Sequence, residues 1–180
     1  HEWFLKSRER IEPYTDYYIW RPAKPNGKLP NNWDSLFEGK AWAWNDTRKE
    51  YYMHLFAIEQ ADLNMDNPLV REEVKNILRF WLDMGVDGFR EDVITFISKK
   101  DGLPNDYIMP ASKGFLYFNH GPHLHEYLEE FNSKQIDFAS KNDVLHTLPM
   151  IKRCGLFDVD VLCSMEDVMK KDRNGRSIYD

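Results

Sequence analysis

A chain of 180 residues with a formal net charge of −6 is long enough to bury a core of its own, and its acidic balance argues against a nucleic-acid role, which relies on clustered Lys and Arg. No apolar run approaches the roughly 18 residues that a membrane span needs. The only two cysteines, Cys154 and Cys163, are too few for a disulfide scaffold and lack CxxC metal spacing. They read as reduced thiols, which predicts a cytoplasmic protein. The opening His1-Glu2-Trp3-Phe4, without initiator Met or signal-like run, and the ordinary polar close at Asp180 predict a piece of a longer protein.

Residues 1 to about 60 read as loop-rich, with Pro22, Pro25, Asn26-Gly27, Pro30 and Asn31-Asn32 as turn signals. Within them, Glu50-Tyr51-Tyr52-Met53-His54-Leu55-Phe56 has the aromatic content of a strand, so short strands are expected rather than a helical domain. Aromatics make up 14% of the chain, six of them Trp. Trp33, Trp42 and Trp44 are expected to pack within this region rather than to present a sugar platform.

A helix is predicted from Asn67-Pro68, with Asn67 as N-cap, Pro68 at the first helical position and Glu72 and Glu73 near the favourable first turn. Val70, Val74, Ile77, Leu78 and Trp81 share one face, and Gly85 closes the helix as a C′ glycine. The following residues, 86–94, are short enough for a strand. Helix, tight turn and strand together predict half of a βαβ unit and a parallel sheet. A further helix opens at Gly121-Pro122 with Leu124, Tyr127, Leu128 and Phe131 on one face, and residues 159–162 are a candidate for the next strand.

On a strand, Arg90 and Asp92 would project from the same side and Glu91 from the other. An arginine beside a carboxylate favours its ionised form, which is the form a carboxylate nucleophile requires. On the pattern alone, an ordinary strand-end salt bridge is the more economical reading. Two metal readings are set aside. Asp62, Asn64, Asp66 and Glu73 have calcium-loop spacing, but Asn67 stands where the loop needs Gly, and Pro68 starts a helix inside it. His120, His123 and His125 do not share a helical face. No metal or cofactor is expected.

The stretch Gly85-Val86-Asp87-Gly88-Phe89-Arg90-Glu91-Asp92-Val93-Ile94 resembles the nucleophile strand of the α-amylase superfamily, glycoside hydrolase family 13. Gln60-Ala61-Asp62-Leu63-Asn64 resembles a second family hallmark. Asp16-Tyr17-Tyr18-Ile19-Trp20-Arg21, Tyr51-Tyr52-Met53-His54-Leu55-Phe56, Phe96-Ile97-Ser98-Lys99 and Asn119-His120-Gly121-Pro122 are similar to the oligo-1,6-glucosidase branch. The resemblance runs from His1 to about Asn132.

That resemblance implies an α/β fold, a partial (β/α)8 TIM barrel with a loop-rich β excursion, domain B, after the third strand. Residues 1–60 would be the excursion, 61–142 the central part of the barrel, and 143–180 a fifth-strand region or divergent tail. Asp92 would be the nucleophile at a strand end, where barrel active sites lie, with Arg90 its supporting cation. Phe56 and Gln60 would contact sugar, and Val93 points to a preference for α-1,6 links. The implied activity is retaining hydrolysis of α-1,6, or α-1,4, glucosidic bonds at the non-reducing end of short oligosaccharides. The alternatives are a trehalose-6-phosphate hydrolase and a non-catalytic carbohydrate-binding remnant.

The family's general acid is a Glu at the end of the fifth strand. Asp143-Val144-Leu145-His146-Thr147-Leu148-Pro149-Met150 has the expected distance from Asp92 but carries Pro149 where the Glu should be, and proline has no proton to give. Glu166, after Asp160-Val161-Leu162-Cys163-Ser164-Met165, is the second candidate and lies farther along the chain than this branch implies. Either an insertion precedes Glu166, or the sequence beyond about Asn142 departs from the family pattern.

Overall fold

The computed structural model describes residues 1–139 apart from Glu38, Asp87 and Met109, with side chains described as far as Asn132. Its elements in chain order are α1 (Glu2–Arg8), β1 (Trp20–Arg21), β2 (Trp42–Asn45), β3 (Glu50–Met53), α2 (Pro68–Asp83), a four-residue α3 (Phe115–Phe118) and α4 (Leu124–Ala139). The chain divides into two units. The first takes His1–Glu72 with Thr95–Pro122, and the second takes Glu73–Ile94 with the residues from His123 onward.

The first unit is organised by an antiparallel sheet in the order β1-β3-β2. Trp20 pairs with Tyr52 and Tyr52 with Ala43, while Arg21 pairs with Tyr51 and Tyr51 with Trp44. Because side chains alternate along a strand, these two rows face opposite ways. Trp42 and Met53 join Ile19, Trp33, Ala41, Leu55, Phe96 and Phe118 in one core. Trp20 joins Tyr17, Tyr18 and Val70 in another, with Phe4 and Tyr52 packed against it. The sheet is therefore buried from both sides, which explains why so short a set of strands is dense in aromatic residues.

Each fully buried tryptophan in this unit also satisfies its N–H, as a buried indole must. Trp20 donates to Ser7 Oγ, Trp33 to the carbonyl of Pro104 and Trp42 to Asn31 Oδ1, at 2.9, 2.7 and 2.7 Å. Trp44 departs from the expected packing role. It is 42% exposed, because the core ends one row short of it.

Close approach fixes two glycines. A Cβ on Gly114, whose φ is +94°, would come within 2.3 Å of the Trp33 ring, and one on Gly121 within 2.3 Å of the Ser98 carbonyl oxygen. Gly121 also donates its N–H to that same carbonyl at 3.2 Å.

In α2 both caps form as the sequence predicts, although Glu72 and Glu73 lie beyond the first turn, which holds no acidic residue. Asn67 Oδ1 accepts the N–H of Leu69 at 2.9 Å, and Pro68 opens the helix. At the other end Gly85 has φ +94° and donates to Leu82, while Val86 donates back to Trp81. That pair of reversed bonds is a Schellman closure. In α4 the four predicted apolar residues, Leu124, Tyr127, Leu128 and Phe131, are all buried, although the helix begins at Leu124 rather than at Gly121-Pro122.

The strand expected over 86–94 is not formed. Its described residues carry no ladder, Asp92 and Val93 make a turn, and a short 3-10 turn follows at Ile94–Phe96. A parallel strand exists only through its neighbours' hydrogen bonds, and no strand among the described residues pairs with this segment. The candidate strand at 159–162 lies outside the described residues, as do Cys154, Cys163, Pro149 and Glu166. Among the described residues no helix is long and apolar enough to cross a membrane.

Candidate active site

The second unit holds Arg90 and Asp92. Arg90 Nη2 donates to Asp92 Oδ1 at 3.1 Å, and both side chains are 73% exposed. Asp92 Oδ2 has no protein partner among the described residues. An exposed pair of this kind contributes only about 0–1 kcal/mol to stability, so its value lies in orientation: one carboxylate oxygen is held and the other is presented. Val93 follows at φ +47°, a conformation that a β-branched residue seldom adopts. The chain thus reverses sharply right after the carboxylate.

Phe56 and Gln60 belong to the first unit. The half-buried Phe56 ring packs edge-on to Phe37 at 5.6 Å and against Phe96 at 6.1 Å. Gln60 closes a turn on Ala57: its N–H donates to the Ala57 carbonyl at 2.8 Å, and its Oε1 accepts the Ala57 N–H at 3.0 Å. Among the described residues its amide nitrogen has no hydrogen-bond partner. Gln60 also lines a cleft of about 190 Å³ with His1, Phe4, Tyr18, Tyr52, Ile58, Glu59 and Ala61. Aromatic walls beside a carboxylate and an amide suit a ligand with apolar faces and many hydroxyls.

The Gln60–Asn64 motif also does structural work that the sequence did not reveal. Asp62 Oδ2 accepts the N–H of Leu55 at 2.8 Å, and Oδ1 accepts from Lys99 Nζ at 2.6 Å. Its backbone receives Ile19 and donates to Met53. Asp62 therefore ties the end of β3 to the approach of β1 and to the Phe96–Lys99 motif. Both Asp62 and Lys99 are largely buried, so removing either one would strand a charge. The signal available in sequence was their occurrence inside two separate family motifs.

The histidines have local explanations. His123 Nδ1 lies 3.0 Å from Glu126 Oε2, and its ring stacks on Tyr127 at 5.8 Å. His120 sits at φ +61° with its N–H given to the Thr95 carbonyl.

The alpha-amylase catalytic domain family matches residues 1–148, and the chain belongs to that family, glycoside hydrolase family 13. It is 50% identical over 149 residues to an oligo-1,6-glucosidase of Parageobacillus thermoglucosidasius, an alignment covering 81% of this chain and 26% of the relative. Its structure resembles the trehalose-6-phosphate hydrolase of Bacillus licheniformis with a TM-score of 0.72 at 41% identity, over 81% of this chain and 25% of that one. It also resembles a variant of isomaltulose synthase from Erwinia rhapontici NX5 in complex with sucrose, with a TM-score of 0.69 at 39% identity, over 80% and 25% of the two chains. The chain thus spans about a quarter of the length of the proteins it matches.

Proposed function

We propose that this chain is the nucleophile-bearing part of a retaining α-glucosidase that acts on α-1,6, and secondarily α-1,4, bonds at the non-reducing end of short oligosaccharides. What carries the reading is Asp92, held through one oxygen by Arg90 and, among the described residues, without a protein partner at the other. Asp92 attacks the anomeric carbon to give a glycosyl-enzyme, and a second carboxyl protonates the leaving oxygen and then activates water. Neither step needs a cofactor or metal. Residues 1–60 serve as the domain B excursion of a (β/α)8 barrel, 61–142 as its central part, and 143–180 as the fifth-strand region or a divergent tail. Phe56 and Gln60 contact the sugar, and Val93 tilts the linkage preference towards α-1,6. Glu166 is assigned the acid/base role, although it lies beyond the matched residues 1–148. The setting we propose is the cytoplasm, with Cys154 and Cys163 as thiols.

Two other readings have specific support. The likeness to a trehalose-6-phosphate hydrolase favours that substrate. Pro149, at the position expected of the acid, favours a binding remnant without turnover.

A chimera tests the choice between the first two. Residues 1–132 replace the equivalent stretch of the Parageobacillus thermoglucosidasius oligo-1,6-glucosidase, which supplies every other part. The chimera should hydrolyse isomaltose in preference to trehalose 6-phosphate, and Asp92→Asn within it should lower kcat by on the order of 10⁴-fold or more. A folded chimera without hydrolysis would overturn the assignment of Asp92, and a preference for the phosphorylated sugar would favour the second reading. The 180-residue chain alone should not release nitrophenol from an aryl α-glucoside.

A further inference from the structure

Along the face of the sheet that carries Trp42 and Met53 into the core, the next row outward is Trp44, Tyr51 and Arg21, joined in direct register across all three strands. Trp42 is buried, whereas Trp44 is 42% exposed. An indole left this open on an edge strand loses apolar burial, so its fixed geometry calls for an explanation.

Trp44 is held at two places. Its Nε1 donates to Asp46 Oδ1 at 3.0 Å, and the Tyr51 ring meets it edge-on at 5.0 Å with an interplanar angle of 66°. Tyr51 is itself anchored, half-buried against the core and with its hydroxyl donating to the Gly27 carbonyl at 3.4 Å. A ring locked in this way loses little further freedom when a ligand settles on it. Around it stand Asp46 and Lys49, an exposed pair at 3.6 Å, and the exposed Arg21, which spends one nitrogen on the Trp20 carbonyl. These groups offer both donors and acceptors, and the charges at the rim are mixed.

We propose that Trp44, Tyr51 and Arg21, with Asp46 at the edge, form a platform that binds one pyranose ring of a neutral oligosaccharide. One indole and part of a phenol are too small for a stable protein interface, which buries about 800 Å² on each partner. They match the apolar face of a single sugar ring, whose rim of hydroxyls then meets the polar groups. The choice of a glucosyl ligand rests on the glucosidase reading above, whereas the stacking geometry does not depend on it.

The chain labelled with fluorinated tryptophan is titrated with isomaltose and maltose to about 50 mM and followed by fluorine resonance, weak single-ring binding being of millimolar order. The Trp44 signal, assigned by its disappearance in Trp44→Ala, should move and saturate while the signals of Trp33 and Trp42 stay in place. Asp46→Ala keeps the ring but frees it, and should weaken binding about 3- to 10-fold, the value of one hydrogen bond. A Trp44 signal that stays still throughout the titration would overturn the proposal. So would an affinity in Asp46→Ala equal to that of the native sequence, or a Trp44-dependent dimer in sedimentation with no response to sugar. Because the readout is binding without turnover, a silent Trp44 beside an active chimera would sink the platform alone. A responsive Trp44 beside an inactive chimera would sink only the hydrolase reading.

Discussion

Tyr18 and Tyr52 place their phenols inside the first unit, and burial pushes both above the ordinary tyrosine range. For Tyr52 the negative charge of Glu59 adds to the effect. An unfolded tyrosine gives up its proton near about pH 10. Below that pH both states keep the proton, and these two groups leave stability unchanged. Above it the unfolded chain ionises first, so stability falls as pH climbs towards the higher folded-state values. Urea midpoints at about pH 8 and about pH 11 should therefore differ more for the native sequence than for a Tyr18→Phe, Tyr52→Phe double variant; an equal fall in both would remove the phenols as the cause. Neither residue stood out in the sequence except as an aromatic in a motif. Arg48 was less visible still. It lies in a polar turn between two strands, yet it is 5% exposed, pairs with Glu50 at 2.6 Å, donates to the carbonyls of Ser7 and Thr15, and stacks over Trp20 at 4.6 Å. Turn composition predicts a solvated charge, and only the tertiary fold makes those distant carbonyls converge on it.

At the scale of elements, legibility follows how local the determining interactions are. The caps of α2 are made by residues within the helix ends themselves, so Asn67, Pro68 and Gly85 could be read directly. The strand over 86–94 depends on partners elsewhere in a sheet, and periodicity cannot supply them. Its hydrophobic pattern is compatible with a strand, but the structure gives it a reversal at Val93 instead. The same distinction separates the Arg90–Asp92 ion pair, two residues apart in the sequence, from the Asp62–Lys99 pair, which joins two motifs and escaped notice. One experiment addresses both ends of this contrast. Asn67→Ala removes the side-chain acceptor of the Leu69 N–H and should cost about 1 kcal/mol, seen as faster amide exchange in the first turn of α2. The amides of 88–92 should exchange rapidly with or without that substitution, while those in β3, paired on both sides, stay protected. Protection of 88–92 comparable to β3 would mean that the segment has found a ladder after all.

For the whole molecule, the family was readable because its motifs are numerous and ordered, whereas their disposition in space was not. The first unit closes on itself, with a sheet covered on both faces by buried aromatics. The second leaves Ile77, Phe80 and Trp81 of α2 exposed, with Met84 just after it, and their three- and four-residue spacing sets them on one helical face. A contiguous apolar stripe of that kind is a surface for association, and in relatives about three times as long there is more chain available to meet it. The purified 180-residue chain should accordingly bind a hydrophobic dye and self-associate as its concentration rises. Replacing Phe80 and Met84 with Glu should reduce both effects while leaving the urea midpoint of the first unit nearly unchanged, because neither side chain contributes to its two cores. Dye binding and sedimentation before and after the substitution provide the check. Self-association that survives it would locate the sticky surface elsewhere, and a large loss of stability in the first unit would show that the two units are energetically coupled through this helix.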